Sequence, residues 1–192
     1  MRLRARRATA ALVLVAALAG LIAFELGHAV RTGGLPLGYV SVIREQAAEK
    51  HLDPALIAAV IYAETKFDPR PSAAGAQGLM QILPSTAYFL ARLSGGRRFT
   101  AGDLATPSIN VAYGSYYLRY LLDHYGGDEM LAVAAYNAGI SNVDEWLAHA
   151  RAAGAPLGEG EIPFPQTREY VRRVLDAQRD YRTTDARALG LA

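Results

Sequence analysis

Residues 53–65 read DPALIAAVIYAET. Asp can cap the free N–H groups at a helix start, and Pro suits the first helical position. The spacing therefore predicts a helix over 54–65. Ile57, Val60, Ile61 and Glu64 fall at i, i+3, i+4 and i+7, so they share one face. Apart from Glu64 that face is apolar. Apolar surroundings disfavour the charged form of a carboxyl and raise its pKa. A carboxyl that stays protonated near neutral pH can donate a proton to a leaving group. The same spacing also fits a Glu at the solvated end of a helix, since Glu is common in helices and rarely buried. Spacing alone leaves both readings open.

Outward from this segment the apolar period is mostly helical and almost never alternating. A short helix is predicted over 39–50. A Pro/Gly/Ser-bearing loop follows at 67–78, then a helix over 79–93 around Pro84, stopped by Gly95 and Gly96. Asn110 is predicted to cap a helix over 110–125, closed by Gly126 and Gly127. Asp128 caps the next, ended by Gly139. Residues 141–152 read as helical, 154–165 as a loop and 167–182 as a last helix. The expected class is all-α, with six or seven helices and short connections. The expected organisation is 1–30 signal or anchor, 31–38 linker (RTGGLPLG), 39–182 helical domain and 183–192 fraying tail.

The N-terminus speaks about location. Arg2, Arg4, Arg6 and Arg7 precede an uncharged apolar run over 8–24, which Glu25 ends. A basic flank before an apolar stretch is an export signal whose flank stays cytoplasmic. The run is short for a spanning helix and long for a cleavable signal, and its length favours an uncleaved anchor in the inner membrane. Ala17-Leu18-Ala19 supplies the alternative, a small-residue cleavage site. These thirty residues carry +3 of the chain's net +2, which leaves −1 on the rest. A near-neutral remainder gives no reason to expect nucleic acid as a partner. The chain has no Cys, and its four His, at 28, 51, 124 and 149, lack ligand-like spacing. Neither a thiolate metal site nor a structural or catalytic zinc is expected.

Two further segments catch the eye. GAQGLMQI, 75–82, places two Gly three apart ahead of Met80, Gln81 and Ile82. A neutral amide that both donates and accepts suits sugar hydroxyls and acetamido groups. AAYNAG, 134–139, puts Tyr136 and Asn137 at a helix C-terminus marked by Gly139. Taken singly, the first is equally an ordinary turn before a helix, and the second a core Tyr with a routine terminal Asn.

Together the segments resemble the SLT-type lytic transglycosylases, which share a lysozyme-like helical domain and are related to goose-type lysozyme. AETKFDP stands where that family has its catalytic Glu followed by Ser. GAQGLMQILPSTA, Asn110 to Gly114, AAYNAG and IPFPQTREYV follow in the family's order over about 39–182. The resemblance implies that Glu64 is the catalytic acid/base. It implies that Ser72, Met80, Gln81, Ala135, Tyr136, Asn137 and Gln166 line the substrate cleft, with Tyr136 hydrogen-bonded to Glu64 or orienting it. It implies cleavage of the bond between N-acetylmuramic acid and N-acetylglucosamine in peptidoglycan, with formation of a 1,6-anhydro end and no cofactor. The expected address is the outer side of a bacterial inner membrane. Thr65 replaces the family Ser, Leu83 a Met, Val111 an Ile and Gln166 a Glu. The last change removes a charge while keeping a hydrogen-bonding side chain.

Glycosidases usually use two carboxylates, and no second one stands out beside Glu64. Asp68 lies four residues on, in the loop. The resemblance implies a route that needs one: Glu64 acts first as acid, then as base toward the sugar's own 6-hydroxyl. Three rival readings are a muramidase that uses water, a non-catalytic glycan-binding module of an envelope machine, and a soluble cytoplasmic helical protein.

Overall fold

The computed structural model describes residues 34–95 and 99–191. The apolar run at 8–24 lies outside them. Among the described residues no helix is long and apolar enough to cross a membrane. These residues form helices α1 (Val40–Lys50), α2 (Pro54–Thr65), α3 (Pro84–Ser94), α4 (Pro107–His124), α5 (Glu129–Ala138), α6 (Ile140–Ala152), α7 (Pro165–Thr184) and the single turn α8 (Ala186–Leu189). Two 3-10 turns, Ala101–Ala105 and Glu159–Glu161, connect them. The all-α expectation holds, and no β-strand occurs among the described residues.

The opening stretch becomes the central helix. Asp53 Oδ1 accepts from the Ala55 N–H at 2.9 Å, and Pro54 takes the first helical position. From Ala55 to Ile61 every residue is buried. A helix that is apolar all round belongs inside a protein, and this one has neighbours on every side rather than a single core face. Burying each of Leu56, Ile57, Val60 and Ile61 contributes roughly 1.5–3 kcal/mol.

Helix α2 packs most extensively against α7. The buried stripe of α7, Thr167, Tyr170, Val171, Val174, Ala177, Gln178 and Tyr181, recurs at three- and four-residue steps. Two polar fastenings set the antiparallel register of the pair. At one end Asp53 Oδ2 accepts from Gln178 Nε2 and Arg182 Nε, both at 2.8 Å. At the other, Tyr170 donates to Glu64. About 16 Å of helix separates Asp53 from Glu64, and 12–18 Å separates Tyr170 from Gln178 and Arg182, at 1.5 Å per residue. The spans match, so the two ends are satisfied together.

The segment 79–93 is not one helix. Gln77 and Ile82 exchange both backbone hydrogen bonds at 3.0 Å, which closes a turn, and α3 starts only at Pro84. The cause is local. Proline pushes its predecessor toward extended backbone, and Leu83 has φ −71° and ψ 140°. Asn110 is not a cap either. Helix α4 begins at Pro107, and Asn110 sits fully buried in its first turn. There it accepts from the Met80 N–H at 2.8 Å and donates to the carbonyls of Gln77 (2.8 Å) and Leu104 (3.1 Å).

Two glycines make this interlock possible. Gly78 has φ +72°, and a Cβ there would lie 2.2 Å from Asn110 Nδ2. A Cβ on Gly114, one turn after Asn110, would lie 2.3 Å from Met80 Sδ. The GAQGLMQI segment and the start of α4 are thus shaped to each other.

The end of the chain does not fray at 183. Helix α7 runs to Thr184, and α8 buries Leu189. At the other end Leu35 and Leu37 pack on the core, and the Tyr181 hydroxyl donates to the Pro36 carbonyl at 2.6 Å.

Candidate active site

Glu64 lies in the last turn of α2, where the solid core ends. Its Oε1 accepts a 2.7 Å hydrogen bond from the Tyr170 hydroxyl on α7. Burial pushes the Glu64 carboxyl up from its ordinary 4.5 to about 7, while the Tyr170 hydrogen bond and the Arg173 charge pull it down by less. Of the two readings that the spacing left open, the raised one is therefore present, and desolvation is its main cause. Burial, reinforced by the Glu64 charge, holds the Tyr136 and Tyr170 hydroxyls well above the ordinary phenol range. Both stay protonated donors at neutral pH.

The backbone around Glu64 is held from the next residue. Thr65 is buried, and its Oγ1 donates to Ile61 O at 3.2 Å and Leu79 O at 2.9 Å. That ties the end of α2 to the GAQGLMQI turn. Lys66 and Phe67 then take positive φ, 52° and 65°, to turn the chain away.

Tyr136 is placed differently from the expectation. Its hydroxyl donates to the Met80 carbonyl at 2.9 Å, and Tyr170 holds the Glu64 carboxyl instead. Tyr136 still lies within electrostatic reach of Glu64, and its ring packs on Tyr117 with centroids 5.3 Å apart. An open depression of about 220 Å³ brings together Gln81, Leu83, Thr86, Tyr117, Tyr136 and Asn137. Gln81 has φ +48°, and its Nε2 donates to the carbonyls of Arg70 (2.7 Å) and Gly78 (2.8 Å). Asn137 Oδ1 accepts from Thr167 Oγ1 at 2.9 Å. Among the described residues Gln81 Oε1 and Asn137 Nδ2 carry no hydrogen bond. An acceptor and a donor therefore remain at the depression.

Three expected cleft residues serve the scaffold. Met80 and Ala135 are fully buried, and Met80 fills the space that Gly114 leaves. The Ser72 hydroxyl accepts from the Ala76 N–H at 3.0 Å and closes its own loop. Gln166 is exposed in the first turn of α7, one helical turn before Tyr170. Sequence reasoning missed Tyr170 and Thr167. Both sit in the quoted IPFPQTREYV block, but Tyr170 is spaced with Val171 and Val174 as any core residue would be. Among the described residues no group of three or more His, Cys, Asp or Glu side chains converges where a metal ion would fit.

A family model described as Transglycosylase SLT domain matches residues 41–156. The chain belongs to that family. The SLT match covers Glu64, the GAQGLMQI turn and AAYNAG, and it ends before α7. The soluble lytic murein transglycosylase of Escherichia coli K12 is 33% identical over 150 residues, 77% of this chain and 23% of that protein. Membrane-bound lytic murein transglycosylase D of the same strain is 31% identical over 139 residues, 71% of this chain and 30% of its own length. The SLT domain superposes on the crystal structure of the 70 kDa soluble lytic transglycosylase SLT70 from E. coli with a TM-score of 0.71 at 30% identity, covering 77% of this chain and 24% of that one. That enzyme in complex with bulgecin A gives 0.72. This chain thus spans about a quarter of the length of these soluble relatives. The all-helical architecture is that of the lysozyme-like SLT domain.

Proposed function

We propose that this SLT domain is a lytic transglycosylase acting on peptidoglycan, with Glu64 as its single acid/base. One observation carries the reading: a half-buried carboxyl with a pKa near 7, held by the Tyr170 hydroxyl and within electrostatic reach of Tyr136, which lines a depression of neutral hydrogen-bonding groups. A group with that pKa is available in both protonation states at neutral pH. Glu64 protonates the oxygen between N-acetylmuramic acid and N-acetylglucosamine. Once ionised, it takes the proton from the 6-hydroxyl of the same muramic sugar, and that oxygen closes on C1 to leave a 1,6-anhydro end. The acetamido group of the substrate supports the developing cation, as in substrate-assisted glycosidases.

Gln81, Tyr136 and Asn137 contact the sugars, and Gln166 contacts the strand at the open end of α7. Gln81 Oε1 and Asn137 Nδ2 suit the N–H and C=O of an acetamido group. The domain works in the bacterial envelope, held to the inner membrane through residues 8–24. The uncharged run and its Arg-rich flank support this placement, and one relative carries the name membrane-bound.

The test is release of soluble fragments from purified peptidoglycan sacculi by the wild type and by Glu64→Gln. The variant keeps the fold and releases none. Release by the variant at the wild-type rate would remove Glu64 from the mechanism.

A further inference from the structure

Helix α7 delivers two hydroxyls from one face. Thr167 and Tyr170 stand three residues apart in its buried stripe, about 4.5 Å along the axis at 1.5 Å per residue. Tyr170 donates to Glu64, and Thr167 Oγ1 donates to Asn137 Oδ1 at 2.9 Å. Asn137 lies in the last turn of α5 and is exposed. Helices α5 and α7 pack directly on each other. Arg168 fastens the first turn of α7 by donating from Nε and Nη2 to the Ile162 carbonyl, at 3.3 and 3.0 Å. Thr167 therefore sits on a rigid element.

The Thr167 hydroxyl decides which way the Asn137 amide faces. An amide has an accepting end and a donating end of nearly equal size. Thr167 is only 2% exposed, and its hydroxyl proton has no other acceptor among the described residues. With the amide turned over, the hydroxyl would meet Nδ2 and could accept from it, but its own proton would be stranded. A stranded buried donor disfavours the turned amide roughly tenfold or more. Asn137 Nδ2 is thus the end left free at the depression. Gln81 is locked in the opposite sense. Its Nε2 is consumed by the Arg70 and Gly78 carbonyls, and carbonyls only accept, so Oε1 is the free end.

On the reading that peptidoglycan is the substrate, we propose that Thr167 is a positioning residue for substrate choice. By holding the Asn137 amide, it makes the depression select N-acetylated over de-N-acetylated hexosamines. An acetamido group carries one N–H and one C=O, the complements of Gln81 Oε1 and Asn137 Nδ2. A free amine on the same sugar is protonated at neutral pH and only donates, so it offers nothing to Asn137 Nδ2. Without the Thr167 hydroxyl the exposed Asn137 amide turns and presents its oxygen as readily as its N–H. The choice between the two sugars then falls, while Tyr170 still holds the acid.

Binding of tri-N-acetylchitotriose and of the same trimer fully de-N-acetylated, measured by calorimetry on the full chain, tests this without any cleavage step. The wild type prefers the acetylated trimer. Thr167→Val keeps the shape and removes the hydroxyl. It weakens the acetylated trimer roughly three- to tenfold, the net worth of one hydrogen bond, and does not weaken the other. Thr167→Ser restores the preference. Asn137→Asp offers acceptors only and loses the preference with Thr167 intact, which keeps the proposal falsifiable if Thr167→Val fails to fold. Equal weakening of both trimers by Thr167→Val would make Thr167 merely structural and overturn the proposal. So would a wild type without preference, a Thr167→Ser protein that behaves like Thr167→Val, or an Asn137→Asp protein that keeps the preference. If any of these occurs while the wild type still cuts sacculi, the assignment of Thr167 alone is wrong. Failure to cut sacculi at all refutes the underlying reading of function.

Discussion

Replacing Glu64 with Gln removes an ionisation that burial makes costly, and the cost can be measured as a dependence of stability on pH. The folded-state value of about 7 stands above the ordinary 4.5. Below pH 4.5 the carboxyl is protonated in both folded and unfolded chains, so the wild type pays nothing. Between 4.5 and 7 the unfolded chain ionises first, and folding loses free energy as the pH rises. Above 7 the loss is complete. Two and a half pH units at about 1.4 kcal/mol each give about 3 kcal/mol. Glu64 keeps partial contact with solvent, which lowers the figure to roughly 2–3 kcal/mol. Gln has no such ionisation, and its Oε1 still accepts from Tyr170. The difference between the two proteins therefore grows with pH while all other groups cancel. At 2–4 °C per kcal/mol for a domain of this size, Glu64→Gln should melt roughly 4–12 °C higher than wild type at pH 8, relative to their difference at pH 4. Thermal or urea denaturation at pH 4, 6 and 8 reads this directly. An equal difference at all three values would refute the claim that burial raises the Glu64 pKa.

Tyr170→Phe deletes the donor that favours ionised Glu64, so the carboxyl rises above 7 and the high-pH limb of the activity profile moves to higher pH; initial rates across pH check this. Asn110→Ala strands the Met80 N–H and the Gln77 and Leu104 carbonyls, a loss of about 2–4 kcal/mol in urea denaturation. Gly114→Ala drives a methyl into Met80 and costs about 1–3 kcal/mol, with lower activity because Met80 carries the Tyr136 contact.

The helical class and the central helix over 54–65 were legible in the sequence, because each follows from local spacing and a short apolar run. That spacing left Glu64 open between a raised pKa and a solvated helix end, and its burial in the folded chain decides for the first. Tyr170 was not legible. It stands 106 residues from Glu64, and its spacing on α7 is that of a core residue. Only the tertiary register, set at the far end by Asp53, Gln178 and Arg182, makes it the partner of the acid. The partner of the Tyr136 hydroxyl was hidden for the same reason: its block indicates a place near the acid, while the atom it bonds depends on how the GAQGLMQI turn folds. Met80 shows the limit of reading a motif as a lining. A segment can be indispensable because its side chain fills the space beside Gly114 rather than because it meets a ligand. Asn110 looked like a cap, since Asn favours caps, yet two of its three hydrogen bonds cross to a segment about thirty residues away.

The chemical form of the cut ends tests the central claim most directly. Wild-type protein is incubated with purified peptidoglycan, and the soluble muropeptides are identified by mass. A single acid/base that returns the proton from the sugar's own 6-hydroxyl leaves 1,6-anhydro-N-acetylmuramic ends. Reducing ends, heavier by one water, would contradict it and make the domain a hydrolase.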